Sequence, residues 1–156
     1  MKGNENVIKT LNLLLADELS AVNQYILHSE MCANWGYDRL HEIIEKRAID
    51  EMKHAEKLIA RLLFLEGKPM VSKLNDLHIG ADVLEQLDND ATSEYGAVKA
   101  YNEAIKLCSE SLDSGTRELL EDILEDEEAH IDWLEAQLDQ IKQIGLQNYL
   151  AMQLKD

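Results

Sequence analysis

Helix-breaking residues are confined to a few widely separated places in this chain. Pro69 is its one proline, and splitting at Gly36, at the Gly67 to Gly80 stretch, at Gly115 and at Gly145 leaves four segments of about thirty residues and a short C-terminal piece. The composition is rich in Leu, Ala, Glu, Lys and Ile, which favours long helices. Each long segment carries an apolar stripe at helical spacing. It runs Leu11, Leu14, Leu15, Val22, Tyr25 in the first and Leu40, Ile44, Ala48, Ala55, Leu58, Leu62 in the second. In the third it runs Val83, Leu87, Ala91, Val98, Tyr101, Ile105, and in the fourth Leu120, Ile123, Ile131, Leu134, Leu138, Ile141. Four amphipathic helices of this length bury their stripes together as a four-helix bundle. A chain of 156 residues, 46% hydrophobic, supports one core, so residues 1–156 are expected to form a single domain. Asp82 followed by Glu85 has the form of a capping box, and Gly36, Gly115 and Gly145 read as helix stops.

Connection lengths set the topology. The breaks at Gly36 and Gly115 are short, so helices one and two, and three and four, form antiparallel hairpins. The middle stretch GKPMVSKLNDLHIG can extend to roughly 46 Å, against roughly 45 Å for a thirty-residue helix, and can therefore cross the whole bundle. The expected fold is all-α, a four-helix bundle with one long crossover between helices two and three. The closing segment IGLQNYLAMQLKD reads as a short fifth helix with Leu146, Leu150 and Leu154 in line, docked on the bundle or on another subunit.

Acidity excludes several partners. Asp plus Glu total 31 against 15 Lys plus Arg, a formal net charge of −16, which repels phosphate backbones and anionic lipid and argues against nucleic acid. No apolar run exceeds four residues, far from the ~20 that span a bilayer, and MKGNENVIKT lacks a signal-peptide core. A cytoplasmic location is expected, with Cys32 and Cys108 as reduced, buried small hydrophobes.

The stripes also contain carboxylates. Glu18 lies between Leu14 and Val22, Glu51 between Ala48 and Ala55, Glu94 between Ala91 and Val98, and Glu127 between Ile123 and Ile131. An unpaired carboxylate facing a core must change its protonation state or recruit a partner. Two of the four have a histidine three residues on, Glu51 with His54 and Glu127 with His130, so each pair offers an oxygen and an imidazole nitrogen from one helix face. A lone Glu-x-x-His is weak, but here the spacing repeats. A shift of 76 carries Glu18 onto Glu94, Glu51 onto Glu127, His54 onto His130, Tyr25 onto Tyr101, Cys32 onto Cys108 and Asp50 onto Asp126. Two hairpins of one pattern bring six groups together symmetrically. Four carboxylates and two imidazoles without thiolate suit iron or manganese, and two metals, in the arrangement of ferritin-like di-metal carboxylate sites. The plainer alternative is mutually paired or solvated groups in an ordinary bundle.

With those residues in hand the chain resembles the bacterioferritin family over its full length. MKGN, DELSAVNQYILH, IDEMKHAEKLIARLLFLEG, DEEAHIDWLE and IGLQNYL all look like that family's segments. The resemblance implies iron storage with ferroxidase activity in a homo-oligomeric shell of 24 subunits. Two iron ions per subunit are oxidised by dioxygen or hydrogen peroxide, with Glu51 and Glu127 bridging and Glu18 with His54, and Glu94 with His130, as terminal ligands. It also implies that Met52 ligates a haem b shared between two subunits, and that a small ferredoxin supplies electrons for release. By spacing alone Met52, about 100° around the helix from Glu51, is an interface methionine packing on its symmetry mate. Ile26 and Glu45 stand near the expected haem groove where aromatic residues are usual, and Lys46 stands where many members carry a histidine facing the interior beside Asp50.

Tyr25 and Tyr101 are core residues able to hydrogen-bond a metal ligand or to supply an electron. His28, His41 and His78 read as surface residues, and Trp35 and Trp133 as packing at helix ends or interfaces. The alternative function is a ferritin-like di-iron redox enzyme with no storage role. A DNA-protecting mini-ferritin is disfavoured by charge, by the fifth helix and by the internal repeat.

Overall fold

A computed structural model describes residues 1–155. Its elements are α1 (Glu5–Asn34), α2 (Asp38–Phe64), α3 (Val83–Glu110), α4 (Ser114–Ile144) and α5 (Leu146–Ala151), with no strand among the described residues. Three of the helices start where side-chain oxygens take up free backbone N–H groups. Asn4 accepts from Asn6 and Val7, Asp82 from Glu85, and Asp113 from Thr116. The capping box at Asp82 closes one residue early, since the Glu85 carboxylate accepts from the Ala81 N–H. Gly36 and Gly145 stop helices at φ 83° and 85°, the left-handed region that favours glycine.

Gly115 corrects its assignment as a stop. It is the second residue of α4, and Leu112, at φ 58°, takes the left-handed turn after α3. Glycine is useful at 115 for another reason: a Cβ there would lie 2.8 Å from Arg61 Nη2. Arg61 can therefore reach across from α2, donating from Nη2 to Asp113 at 3.1 Å and from Nε to Thr116 Oγ1 at 2.8 Å. Burial would raise the Asp113 carboxyl, but Thr116 and Arg61 hold it below its ordinary range. Asp113→Ala is expected to cost about 1–2 kcal/mol through loss of the cap. Because the folded pKa is lowered, that contribution is present at neutral pH and disappears as the pH falls through the folded value. Urea unfolding of variant and parent at neutral and acid pH checks both the size and the convergence.

The crossover lies along one face of α1. Met70 N–H donates to Asn12 Oδ1, Asn75 N–H to Ser20 Oγ, His78 N–H to Gln24 Oε1 and Gly80 N–H to His28 Nε2. The chain leaves α2 beside the start of α1, where Gly3 N–H donates to the Leu65 carbonyl, and enters α3 beside the end of α1. Helices α2 and α3 therefore run parallel, the topology that the crossover length predicted.

His28 is a correction: it is fully buried, not a surface residue. Its Nδ1 lies 3.0 Å from Asp90 Oδ1 while Nε2 accepts from Gly80, so one buried ring ties α1, α3 and the crossover together. His41 is partly buried, with Nδ1 2.9 Å from the Ser29 carbonyl, whereas His78 is exposed as expected. Val22 also departs from the core stripe and is only partly buried, on the outer side of α1.

Two apolar clusters fill the bundle. One holds Leu11, Leu15, Leu58, Leu62, Tyr101 and Leu120, the other Tyr25, Leu40, Ile44, Leu87, Leu134 and Tyr149. Cys32 and Cys108 are free and buried, and burial pushes their thiols up to about 12 and about 11. The fifth helix docks on the bundle through Tyr149, fully buried with its hydroxyl donating to Gln137. Leu146 and Leu150 pack beside it, but Leu154 lies beyond α5 and is exposed. Among the described residues no helix is long and apolar enough to cross a membrane.

Candidate metal centre

The six groups named from the stripes meet between the two apolar clusters. Glu18 comes from α1, Glu51 and His54 from α2, Glu94 from α3, and Glu127 and His130 from α4, and none is more than 3% exposed. They form two overlapping sets, Glu18, Glu51, His54, Glu127 and Glu51, Glu94, Glu127, His130, with the ligand atoms of each within 4.8 Å of one another. Glu51 and Glu127 belong to both sets. That sharing is what two neighbouring cations bridged by two carboxylates require.

The pseudo-symmetry of the sequence reappears in the distances. His54 Nδ1 lies 2.9 Å from Glu127 Oε1 and 3.6 Å from Glu18 Oε2; His130 Nδ1 lies 3.0 Å from Glu51 Oε1 and 3.7 Å from Glu94 Oε1. The outer nitrogens are held by carboxylates of the opposite hairpin, His54 Nε2 by Asp126 at 2.9 Å and His130 Nε2 by Asp50 at 3.4 Å. A carboxylate on Nε2 favours the tautomer whose Nδ1 lone pair points inward, the arrangement of a metal-binding imidazole. The repeat had paired Asp50 with Asp126, but only the fold reveals that each serves the other half's histidine.

Seven buried atoms here have no hydrogen-bond partner: Glu18 Oε2, Glu51 Oε1, Glu94 Oε2, both Glu127 oxygens and both Nδ1 atoms. Several approach one another to about 3 Å without hydrogen-bond alignment. Convergent, unaligned donors suit a cation at their common focus, and two oxyanion-rich sets suit a hard or borderline divalent ion. Protons occupy part of that role without one. Burial, then Glu51, pushes Glu18 well above the carboxylate range, and burial, then Glu127, pushes Glu94 up to about 8. At Glu127 burial is outweighed by Glu94 and both imidazoles, which hold it low. Burial lowers His130, yet Glu127, Glu51 and Glu94 raise it to about 11.

Access is from the crossover side. A cavity of about 300 Å³ reaches Glu18, Glu51, Glu94 and Glu127 from a mouth at Asp17, Asn75 and Asp76. Asn75 Nδ2 donates to Asp17 Oδ1 at 2.6 Å across that mouth. Sequence reasoning missed Asp17 and Asp76 because only the folded crossover brings them together.

Met52 stands apart from the six, 42% exposed on the outer side of α2. It lines a groove of about 320 Å³ with Val22, Ile26, Ala48, Ile49 and, at its polar positions, Ser29, Glu30 and Glu45. Lys46 is exposed, and Asp50, beside it on the interior-facing expectation, is turned toward His130 and Arg47. Trp133 lies under the Arg47 guanidinium and Trp35 closes α1.

Comparisons with known proteins agree with this geometry. The family model described as a ferritin-like domain matches residues 8–144. The bacterioferritin of Brucella melitensis is 44% identical over 149 residues, 96% of this chain and 92% of that protein. That of Mycolicibacterium paratuberculosis is 43% identical over 151 residues, 97% and 95%, and that of Rhodobacter capsulatus 40% over 152 residues, 97% and 94%. With the bundle, its crossover and the central carboxylate–histidine cluster, matches of this extent place the chain in the bacterioferritin family, within the ferritin-like fold.

Proposed function

We propose that this protein is a ferroxidase that stores the iron it oxidises. The observation that carries the reading is the pair of four-group sets sharing Glu51 and Glu127, each set completed by one histidine and one further glutamate. Two Fe(II) ions are the substrate. They arrive through the cavity beside Asp17 and Asp76, whose charge draws cations inward. Glu51 and Glu127 bridge, Glu18 and His54 hold one ion, and Glu94 and His130 hold the other. Hard carboxylate oxygens favour the ferric over the ferrous state, so binding assists electron transfer to dioxygen or hydrogen peroxide. The ferric product then passes to the interior of a 24-subunit shell as oxide mineral. Acidic residues in excess, −16 per chain, supply inward-facing carboxylates to nucleate it.

Capacity tests the storage claim. After aerobic Fe(II) loading and gel filtration, the assembly is expected to retain iron far above two per subunit. Retention of only two would leave a di-iron redox enzyme without a storage role.

Haem b belongs at Met52, and the residues there fit it: a thioether open to solvent on a largely apolar groove, suited to a group shared with a second subunit. Bound haem supplies an electron path, through which a small ferredoxin would return ferric iron to the soluble ferrous form. A bis-methionine spectrum is expected from the haem-reconstituted protein and is expected to vanish in Met52→Leu, while Fe(II) oxidation survives because Met52 lies outside the central cluster.

A further inference from the structure

A second convergence of ligand groups lies away from the bundle centre, on the outer side of the first hairpin. Glu30 comes from α1, and His41 and Glu45 come from α2, one helical turn apart. One ligand atom from each lies within 4.8 Å of the other two. Both glutamates are exposed and His41 is partly buried, so a cation can reach the set from solvent.

The histidine ring is held as metal binding requires. Its Nδ1 lies 2.9 Å from the Ser29 carbonyl oxygen, which can only accept, so Nδ1 carries the hydrogen. In the neutral ring the lone pair is then on Nε2, and Nε2 is the atom turned toward Glu45, 3.6 Å from Oε2. A backbone carbonyl on the far nitrogen is a common support for a ligating imidazole. Carboxylates play that part for His54 and His130 in the central cluster.

A surface ion pair is the simpler account, but it explains only two of the three residues. His41 and Glu45 are spaced i, i+4 on one helix, where such pairs are frequent and weak. Glu30 arrives from a different helix, and among the described residues no Lys or Arg forms an ion pair with Glu30 or Glu45. Both carboxylates also line the groove that holds Met52. Like charges held this close repel, and a divalent cation between them converts the repulsion into binding.

We propose that Glu30, His41 and Glu45 bind a borderline divalent cation, of the class of Zn(II) or Fe(II), at a site separate from the central cluster. One imidazole with two carboxylates favours such an ion over Mg(II), which prefers oxygen ligands and keeps its water. Three protein ligands leave a coordination position open to water. The ion ties α1 to α2 near the Gly36 turn and offsets the charge of both glutamates, so the rim of the Met52 groove loses its negative charge. No residue of the central cluster takes part, and the site stands whether or not that cluster is a ferroxidase.

The test measures Zn(II) retained by the assembled protein after dialysis at physiological ionic strength with Mg(II) in excess, which displaces ions held by surface carboxylates alone. His41→Gln and Glu45→Gln are each expected to retain one Zn(II) per subunit fewer than the parent. Glu42→Gln, an exposed neighbour on the same helix, is expected to match the parent. Glu127→Ala disrupts the central cluster and is expected to keep the ion that His41→Gln removes, so the double variant loses both. Unchanged retention in His41→Gln, or an equal loss in Glu42→Gln, overturns the proposal.

Crystals of the parent soaked in Zn(II) give a direct reading. Anomalous scattering at the zinc edge is expected to show a peak about 2.0–2.1 Å from His41 Nε2, in contact with Glu30 and Glu45. A peak at the central cluster with none at His41 would leave Glu30, His41 and Glu45 as an ion pair and an unpaired acid.

Discussion

Glu127→Ala is expected to slow Fe(II) oxidation by roughly 100-fold or more, since removal of even an outer partner of a metal ligand costs about 10–100-fold. Glu127 belongs to both four-group sets, and both its oxygens are buried without hydrogen-bond partners. Its loss removes a ligand from each cation position at once and leaves His54 and His130 without the carboxylate that contributes most to holding them charged. Stopped-flow absorbance after mixing with aerobic Fe(II) measures the effect. Glu121, exposed on the same helix, provides the control, and Glu121→Ala is expected to oxidise Fe(II) at the parent rate. Equal rates for Glu127→Ala and the parent would reduce the cluster to a structural feature of the bundle.

Saturation with Zn(II) is expected to raise the thermal midpoint by roughly 15–30 °C. A ligand at about a thousand times its dissociation constant adds about 4 kcal/mol per site, and each kilocalorie moves a chain of this size by about 2–4 °C. Two sites per subunit give the range. The physical source is the set of seven buried atoms that lack partners until a cation arrives. Protons compete for the same lone pairs, with Glu94 raised to about 8 and His130 to about 11, so cation binding must displace them. The sign follows: the stabilisation grows as pH rises toward 8 and shrinks as pH falls. Differential scanning calorimetry at pH 6 and pH 8, with and without Zn(II), reads both effects, and Glu127→Ala is expected to lose most of the shift at either pH.

Much of this architecture is legible in the residue order, and the exceptions share a cause. Stripes at helical spacing located all four long helices, because burial of one face is a property of each segment alone. His28 was misplaced because its partners, Asp90 and Gly80, lie 62 and 52 residues away, and a histidine's own neighbours do not reveal that it will be satisfied inside. Tyr149 was overlooked because α5 is too short for a periodic stripe and is anchored by one large side chain. The Gly115 misreading came from assigning a left-handed turn to the nearest glycine, when Leu112 accepts that conformation and Gly115 instead leaves room for Arg61.

The candidate centre divides in the same way. Its six groups were identifiable because a carboxylate on an apolar stripe is costly wherever the helix goes, and because the 76-residue repeat made coincidence implausible. Tyr25 stands two turns from Glu18 on one helix, yet its hydroxyl binds Glu94 on another, and Tyr101 makes the converse crossing. Asp50 and Asp126 exchange halves in the same manner. By itself, the order of residues determined the helices, their parallel crossover and the identity of the convergent groups, all of which depend on periodicity and chain length. Only the tertiary structure decided which groups touch, where the cavity opens and which carboxylate oxygens remain unpartnered. Those are contacts between hairpins, and they exist only once packing has set the helices against one another.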